Sequence, residues 1–158
     1  VSSPPLLAHK AIHEGLVAAG NIAGKKRAFD PVAIPGVIYT QPEVAVIGLT
    51  EQELQKKGVD YKKGIFPYTA SGRAVTMGKP AGIAKILSEA DTGKILGIHL
   101  VGPFVSELIS EGTLALERGA TVEDLALIIH PHPTLSESLG EAAENLFGQA
   151  IHILNPRK

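Results

Sequence analysis

The sequence predicts an α+β fold, in which an antiparallel β-sheet has helices packed on one of its sides. Short segments rich in β-branched residues lie between residues 37 and 101. Three segments with the apolar spacing of helices follow them, between residues 105 and 149. Strands that precede helices, instead of alternating with them, are typical of this class. One additional helix is predicted before the first strand.

The N-terminal helix is predicted over residues 6–23, because this alanine-rich segment has two prolines before it and a glycine after it. The residues that follow include Asp30 and Pro31, which indicate a linker. We therefore place a domain boundary at this linker. Residues 1–30 are assigned to one unit and residues 31–158 to another.

The sheet is predicted from five short segments, which are residues 37–40, 44–47, 61–68, 82–88 and 94–101. Between the second and the third, Thr50 and Glu53 have the spacing of a capping box. This pattern predicts a helix of about two turns, which Gly58 ends. A hairpin turn at residues 91–93 connects the last two strands. Alternation along the last strand predicts one buried apolar face, formed by Leu96, Ile98 and Leu100.

Three helices are predicted after the sheet, and they begin near residues 105, 121 and 134. The first has an apolar stripe at helical spacing, formed by Val105, Leu108, Ile109, Gly112, Ala115 and Leu116. Gly112 is expected to let another backbone approach this stripe closely. The last helix is predicted over residues 134–149. The stripe and the last helix together hold more apolar surface than one small sheet readily covers, which would suit an interface between two copies of the chain.

The composition is that of a globular domain with a sizeable core, with 44% hydrophobic and 20% charged residues. The net charge of −1 gives no electrostatic reason to expect a nucleic acid or an anionic membrane as a partner. No apolar segment approaches the roughly 20 residues of a membrane span, and no N-terminal segment has the pattern of a signal or transit peptide. The absence of cysteine fits a reducing compartment and excludes disulfide chemistry within this chain.

The segment from His130 to Glu137, with the sequence HPHPTLSE, carries the strongest chemical signal. It places His132 on a loop stiffened by prolines and a carboxylate five residues later, where a helix begins. A histidine that a carboxylate holds in this way is suited to act as a general base near neutral pH. A second interpretation is a capping box between Thr134 and Glu137. The two roles of Glu137 are compatible, because a carboxylate has two oxygens.

Two histidine pairs have spacings that metal sites also use. His9 and His13 are four residues apart on the predicted helix, and His130 and His132 are two residues apart on the loop. Neither pair has a cysteine nearby, and the helical pair lacks the glutamate of a zinc protease helix. We therefore expect no metal site at either pair.

Five segments in order resemble those of one protein family. They are PPLLAHKAIHEG, IPGVIYTQPEVAVIGLTEQEL, FPYTASGRA, DTGKILGIHLVG and HPHPTLSESLGEAAE, and together they extend over essentially the whole chain. The chain resembles the flavin-dependent pyridine nucleotide-disulfide oxidoreductases, and most closely their dihydrolipoamide dehydrogenase group. The resemblance implies that residues 31–158 form the interface domain, which mediates dimerisation. It also implies that residues 1–30 are the end of an FAD-binding domain.

The resemblance also implies roles for single residues. The backbone of four residues at the start of the first helix would meet the pyrimidine end of the flavin, and these are Leu6, Leu7, Ala8 and His9. His132 would remove a proton from a substrate thiol, and Glu137 would accept from the other ring nitrogen and fix its tautomer. The bond before Pro133 is expected to be cis.

For the whole enzyme, the resemblance implies oxidation of dihydrolipoyl groups to lipoyl groups through an enzyme disulfide, FAD and NAD⁺. The expected assembly is a homodimer, in which each interface domain lends its histidine to the other subunit's site. The expected partner is a lipoyl-bearing acyltransferase or carrier protein of a 2-oxoacid dehydrogenase or glycine cleavage complex. The expected location is the bacterial cytoplasm, or the mitochondrial matrix in a eukaryote. This chain alone is expected to be inactive, because the cysteine pair and the dinucleotide-binding fingerprints would lie elsewhere.

Two alternatives remain at this point. The first is another reductase of the family, with a glutathione reductase-like or mercuric reductase-like activity. A mercuric reductase is expected to have C-terminal cysteines, and a glutathione reductase-like enzyme usually departs from Leu135 and Ser136 in the motif. The second alternative is a dimerisation module without chemistry, and the similarity to a flavin-contacting helix argues against it.

Overall fold

The structure is a computed structural model, which describes residues 3–155. Its strands are β1 (Gly36–Ile38), β2 (Glu43–Gly48), β3 (Tyr61–Pro67), β4 (Ile83–Glu89) and β5 (Ile95–Gly102). Its helices are α1 (Ala8–Ile22), α2 (Glu51–Lys57), α3 (Gly72–Thr76), α4 (Val105–Glu117), α5 (Val122–Ala126) and α6 (Glu137–Phe147). The strands form one antiparallel sheet in the order β1-β2-β5-β4-β3, which confirms the predicted α+β class.

The main core lies between one face of the sheet and the two long helices α4 and α6. Helix α4 packs on β2 and β5, and α6 packs on β3 and β4. Between them lie side chains that are at most 3% exposed, which include Ala45, Ile47, Phe66, Ile86, Ile98, Leu100, Val105, Ile109 and Leu139. Complete burial of one such aliphatic side chain contributes about 1.5 to 3 kcal/mol. This packing fixes α6, which begins with the last residue of the HPHPTLSE motif.

The short helix α2 lies on the opposite face of the sheet. Its Glu51 accepts hydrogen bonds from the Nζ atoms of Lys63 on β3 and Lys85 on β4, both at 2.9 Å. These two contacts lower the pKa of Glu51 to about 2, Lys85 having the larger effect. The predicted capping box of Thr50 and Glu53 is present at the start of α2. The sheet therefore has its two long helices on one side and α2 on the other.

Several details differ from the sequence prediction. Helix α3 was not predicted, and Ser71 caps it by accepting a hydrogen bond from the backbone N–H of Ala74. Leu96 is only half-buried, because the register between β4 and β5 shifts at Leu87 and Ser88. A Cβ atom on Gly112 would meet the side chain of Ile98 at 3.0 Å, so a side chain approaches there and not a backbone.

The predicted dimerisation surface is also wrong in part. The stripe on α4 faces this chain's own core, and its members Val105, Ile109, Ala115 and Leu116 are at most 7% exposed. These side chains are buried against the sheet and cannot contact another copy. Apolar side chains are exposed elsewhere, at Leu114, Leu127, Ile129, Ile151 and Leu154. In the described part of the chain, no helix has the length and apolarity needed to cross a membrane.

Candidate functional site

The HPHPTLSE motif forms the connection between α5 and α6 and presents His132 to solvent. The His132 side chain is 73% exposed, whereas Glu137 at the first position of α6 is 27% exposed. His132 Nδ1 lies 2.8 Å from Glu137 Oε1. The bond between His132 and Pro133 is cis, as predicted. The structure therefore brings together the histidine and the carboxylate that the spacing paired.

Glu137 uses its second oxygen to hold the loop. The backbone N–H of Thr134 donates to Glu137 Oε2 at 2.7 Å. Partial burial would raise the pKa of Glu137, but the hydrogen bonds from Thr134 and His132 outweigh it and hold that pKa below its ordinary value. Glu137 is therefore a carboxylate at neutral pH, with each oxygen engaged by a different part of the loop.

The capping-box interpretation is only half correct. Helix α6 begins at Glu137, not at Thr134, and Ser136 occupies the N-cap position without a side-chain cap. The hydroxyl of Thr134 donates to the Pro131 carbonyl at 2.7 Å instead of accepting from the helix. Only the return bond of a capping box is formed, from the Thr134 N–H to Glu137. Both proposed roles of Glu137 are thus compatible with one position of its side chain.

The tautomer of His132 follows from the charge of its partner. An ionised carboxylate only accepts hydrogen bonds, so a neutral His132 carries its proton on Nδ1 and donates it to Glu137. The lone pair then resides on Nε2, which is the atom able to take a proton from a substrate. If Nε2 is protonated, the adjacent carboxylate stabilises the imidazolium.

Two more histidine–carboxylate pairs surround this loop, and the sequence interpretation missed both. His130 Nε2 contacts Glu111 Oε1 on α4 at 2.8 Å, and the His130 side chain is only 8% exposed. His152, after α6, places Nδ1 2.6 Å from Oε1 of Glu141. Sequence separations of 19 and 11 residues gave no local pattern that would join these partners.

The predicted flavin-contacting residues lie at the start of α1. Leu7 is the N-cap residue of α1, no side chain of the described residues caps this end, and the first turn has no acidic residue. Leu7, Ala8 and His9 border a cavity of about 910 Å³ between α1, the linker and α4. Leu6 is 79% exposed. His132 is not part of this cavity, so within this chain the two predicted groups of site residues form separate sites.

The linker between α1 and β1 forms hydrogen bonds with both α1 and α4. His9 Nε2 donates to the Pro35 carbonyl at 2.8 Å, which directs the ring of His9 toward the linker. Glu117 on α4 accepts from the backbone N–H of Val32 at 2.9 Å. The side chain of His9 is therefore already engaged, and only its backbone is available for the role that was predicted.

The histidines do not converge on a metal-binding geometry. Among the residues that the structure describes, no group of three or more histidine, cysteine, aspartate or glutamate side chains is placed to hold a metal ion. His9 contacts a backbone carbonyl, and His130 and His132 contact different glutamates. Burial, which is the largest influence, lowers the pKa of His99 to about 4, so this ring is neutral.

Comparison with known proteins places these features in a family. Residues 34–143 match the family described as pyridine nucleotide-disulphide oxidoreductase, dimerisation domain. The chain is 60% identical over 155 residues to dihydrolipoyl dehydrogenase of Thermus scotoductus, and 48% identical over 155 residues to that of Halobacterium salinarum. Each match covers 98% of this chain and 33% of the relative. The chain thus spans about a third of the length of these relatives.

Solved structures agree with the fold. LpdA from Mycobacterium tuberculosis superimposes with a TM-score of 0.81 at 28% identity, and the match covers 89% of this chain and 31% of that one. The flavoprotein disulfide reductase RclA from Escherichia coli superimposes with a TM-score of 0.79 at 22% identity, covering 84% of this chain and 31% of its own. At that identity, the second likeness concerns the fold alone.

Proposed function

The chain belongs to the dimerisation-domain family of the pyridine nucleotide-disulphide oxidoreductases, and we propose that it is the part of a dihydrolipoyl dehydrogenase that supplies the base for thiol oxidation. The observation that carries the proposal is the 2.8 Å contact between His132 and Glu137, within a chain 60% identical to such an enzyme. The His132 side chain is also 73% exposed, so its ring is accessible to a substrate thiol, which a dimerisation module without chemistry would not require.

In the proposed reaction, Nε2 of His132 takes the proton of a dihydrolipoyl thiol. Only the thiolate is a strong nucleophile toward a disulfide. The thiolate attacks one sulfur of a disulfide that the rest of the enzyme supplies, so that a new S–S bond forms and the other cysteine leaves as a thiolate. The second substrate thiol gives its proton to the released cysteine thiolate, and its sulfur then displaces the first cysteine. The products are a lipoyl disulfide and a reduced cysteine pair.

FAD and NAD⁺ belong to the same proposal. When bound, FAD would supply the acceptor for the two electrons of the cysteine pair, with NAD⁺ as the final acceptor. The start of α1 fits a flavin edge, because this turn has neither a side-chain cap nor an acidic residue. Backbone N–H groups at a helix N-terminus favour negative charge. We assign this role to the backbone of Leu6, Leu7, Ala8 and His9.

The experiment that tests the proposed function uses the full-length protein that carries this chain. NAD⁺ reduction is measured with dihydrolipoamide, and in parallel NADPH oxidation is measured with glutathione disulfide or Hg²⁺. We expect turnover with dihydrolipoamide and none above background with the other two substrates. A greater kcat/KM with glutathione disulfide or Hg²⁺ would contradict the assignment and favour another reductase of the family.

We propose a homodimer in which His132 serves the partner's disulfide, and a lipoyl-bearing acyltransferase or carrier protein as the substrate. Exposed apolar residues near the HPHPTLSE motif support an association surface, since Leu127 is 74% and Ile129 is 96% exposed. A two-fold interface uses the same patch on both copies. This patch replaces the α4 stripe that the sequence suggested.

Sedimentation equilibrium of the isolated chain at tens of micromolar is expected to give a dimer. Ile129→Asp is expected to weaken association at least tenfold, because it places a charge in the apolar patch. The matched control is Ile22→Asp, which introduces the same charge at an 89% exposed position outside residues 34–143. A single 16.6 kDa species for the unaltered chain would contradict a self-sufficient dimer surface.

A further inference from the structure

The side chain of His130 is held between helices α4 and α6. Its Nε2 donates to Glu111 Oε1 on α4 at 2.8 Å. On α6, a Cβ atom added to Gly140 would lie 3.0 Å from Nδ1 of His130. This contact requires the ring to pass directly over the glycine. His130 therefore joins the loop to α4 and α6 at one point.

One residue, Pro131, separates the buried histidine from the exposed one. The His130 side chain is 8% exposed, whereas that of His132 is 73% exposed. The intervening Pro131 restricts the backbone between them, and its carbonyl accepts the hydroxyl of Thr134 at 2.7 Å. A displacement of His130 is thus transmitted over a short and stiff path to the ring that presents Nε2.

We propose that His130 and Glu111 form a positioning pair, which holds the His132 loop against α4 and α6 and thereby fixes where Nε2 of His132 is presented. This inference rests on the proposed function, and it deepens it by naming two residues that act through His132. Neither residue is assigned contact with the substrate.

The electrostatics of the pair support a firm anchor. The hydrogen bond to Glu111 raises the pKa of His130 more than burial lowers it, and a backbone hydrogen bond to Ile128 and the charge of Glu137 add to the rise. A protonated imidazole donates from both nitrogens, and charge-assisted hydrogen bonds are roughly twice as strong as neutral ones. The hydrogen bond between the His130 imidazole and Glu111 is therefore well suited to fix the loop.

The consequence for the reaction is one of geometry. A displacement of about 1 Å in a reacting group can lower a rate about 100-fold. Loss of the contact between His130 and Glu111 should leave His132 able to accept a proton. Its Nε2 would, however, occupy the position needed for proton transfer less often. We expect kcat for dihydrolipoamide to fall on the order of tenfold, with KM little changed.

The test uses His130→Gln and Glu111→Gln in the full-length protein, with Glu107→Gln as the matched control at an exposed position of α4. The His130 and Glu111 variants are each expected to lower kcat for dihydrolipoamide about tenfold and to leave NADH-to-dye electron transfer unchanged. The control variant is expected to change neither rate. The double variant should lose no more than the worse single variant, because the two residues act as one unit. An unchanged kcat in correctly folded His130→Gln and Glu111→Gln proteins would overturn the proposal.

A second measurement does not depend on the reaction. The imidazole ¹⁵N shifts of His132 report which ring nitrogen carries the proton, and they can be read without substrate. We expect His130→Gln to reduce the population with the proton on Nδ1, because the ring spends less time against Glu137. An unaltered His132 spectrum would overturn the positioning role. An altered spectrum in a protein that does not oxidise dihydrolipoamide would keep the positioning role and reject the proposed function.

Discussion

Replacement of His132 by glutamine in the full-length protein is expected to lower dihydrolipoamide oxidation by at least about 10²-fold, the usual contribution of a general base. The substituted amide cannot accept the thiol proton, and an unassisted thiol is largely protonated at neutral pH. The exposed position of His132, at 73%, means that the substitution disturbs little packing. Steady-state NAD⁺ reduction with dihydrolipoamide measures the loss.

NADH-to-dye electron transfer is the internal control, because it needs no thiol deprotonation and should keep its wild-type rate in His132→Gln. Glu137→Gln provides the graded comparison. It keeps the base and removes the charge-assisted hydrogen bond, which is worth about 1.5 to 3 kcal/mol, so the loss should be smaller than for His132→Gln. Wild-type turnover of dihydrolipoamide in His132→Gln would exclude His132 as the base.

Local patterns predicted most of the fold because they act over short separations. The capping box of Thr50 and Glu53 and the left-handed Gly58 define α2 as the sequence indicated. Alternation correctly placed Ile98 and Leu100 in the core. The same reasoning failed at Leu96, because a register shift at Leu87 and Ser88 breaks the period of two. A bulge depends on both strands, and one strand alone does not reveal it.

The site was predictable to the extent that it is local. His132 and Glu137 are five residues apart, and their contact follows from the loop leading into α6. The Glu111–His130 pair joins α4 to the loop across 19 residues, so it becomes visible only once the helices are packed. The apolar stripe on α4 was read correctly as a buried face but assigned to the wrong partner. Hydrophobic spacing identifies a helix face that must be buried. It does not show whether that face packs on the chain's own sheet or on another copy of the chain.

The position of α6, and with it Glu137, depends on a glycine in the sheet. Gly64 lies on β3 where α6 crosses it, and a Cβ atom there would collide with the backbone carbonyl of Ala142 and the side chain of Leu146. Asn145 Oδ1 also accepts from the N–H of Ile65 at 3.0 Å, which ties the helix to this edge strand. The helix therefore rests directly on the strand's backbone.

Gly64→Ala is expected to destabilise the isolated chain by about 1 to 3 kcal/mol or more, because a backbone carbonyl cannot move aside as a flexible side chain would. For a domain of this size, each kcal/mol lowers the Tm by about 2 to 4 °C.

The matched control is Gly15→Ala on α1, where no atom lies within 4 Å of the added Cβ atom. There alanine should stabilise the helix by up to about 1 kcal/mol. Since α6 carries Glu137, the Gly64 variant should also lose dihydrolipoamide turnover in the full-length protein. A Tm for Gly64→Ala at or above the wild-type value would contradict the close packing of α6 on β3.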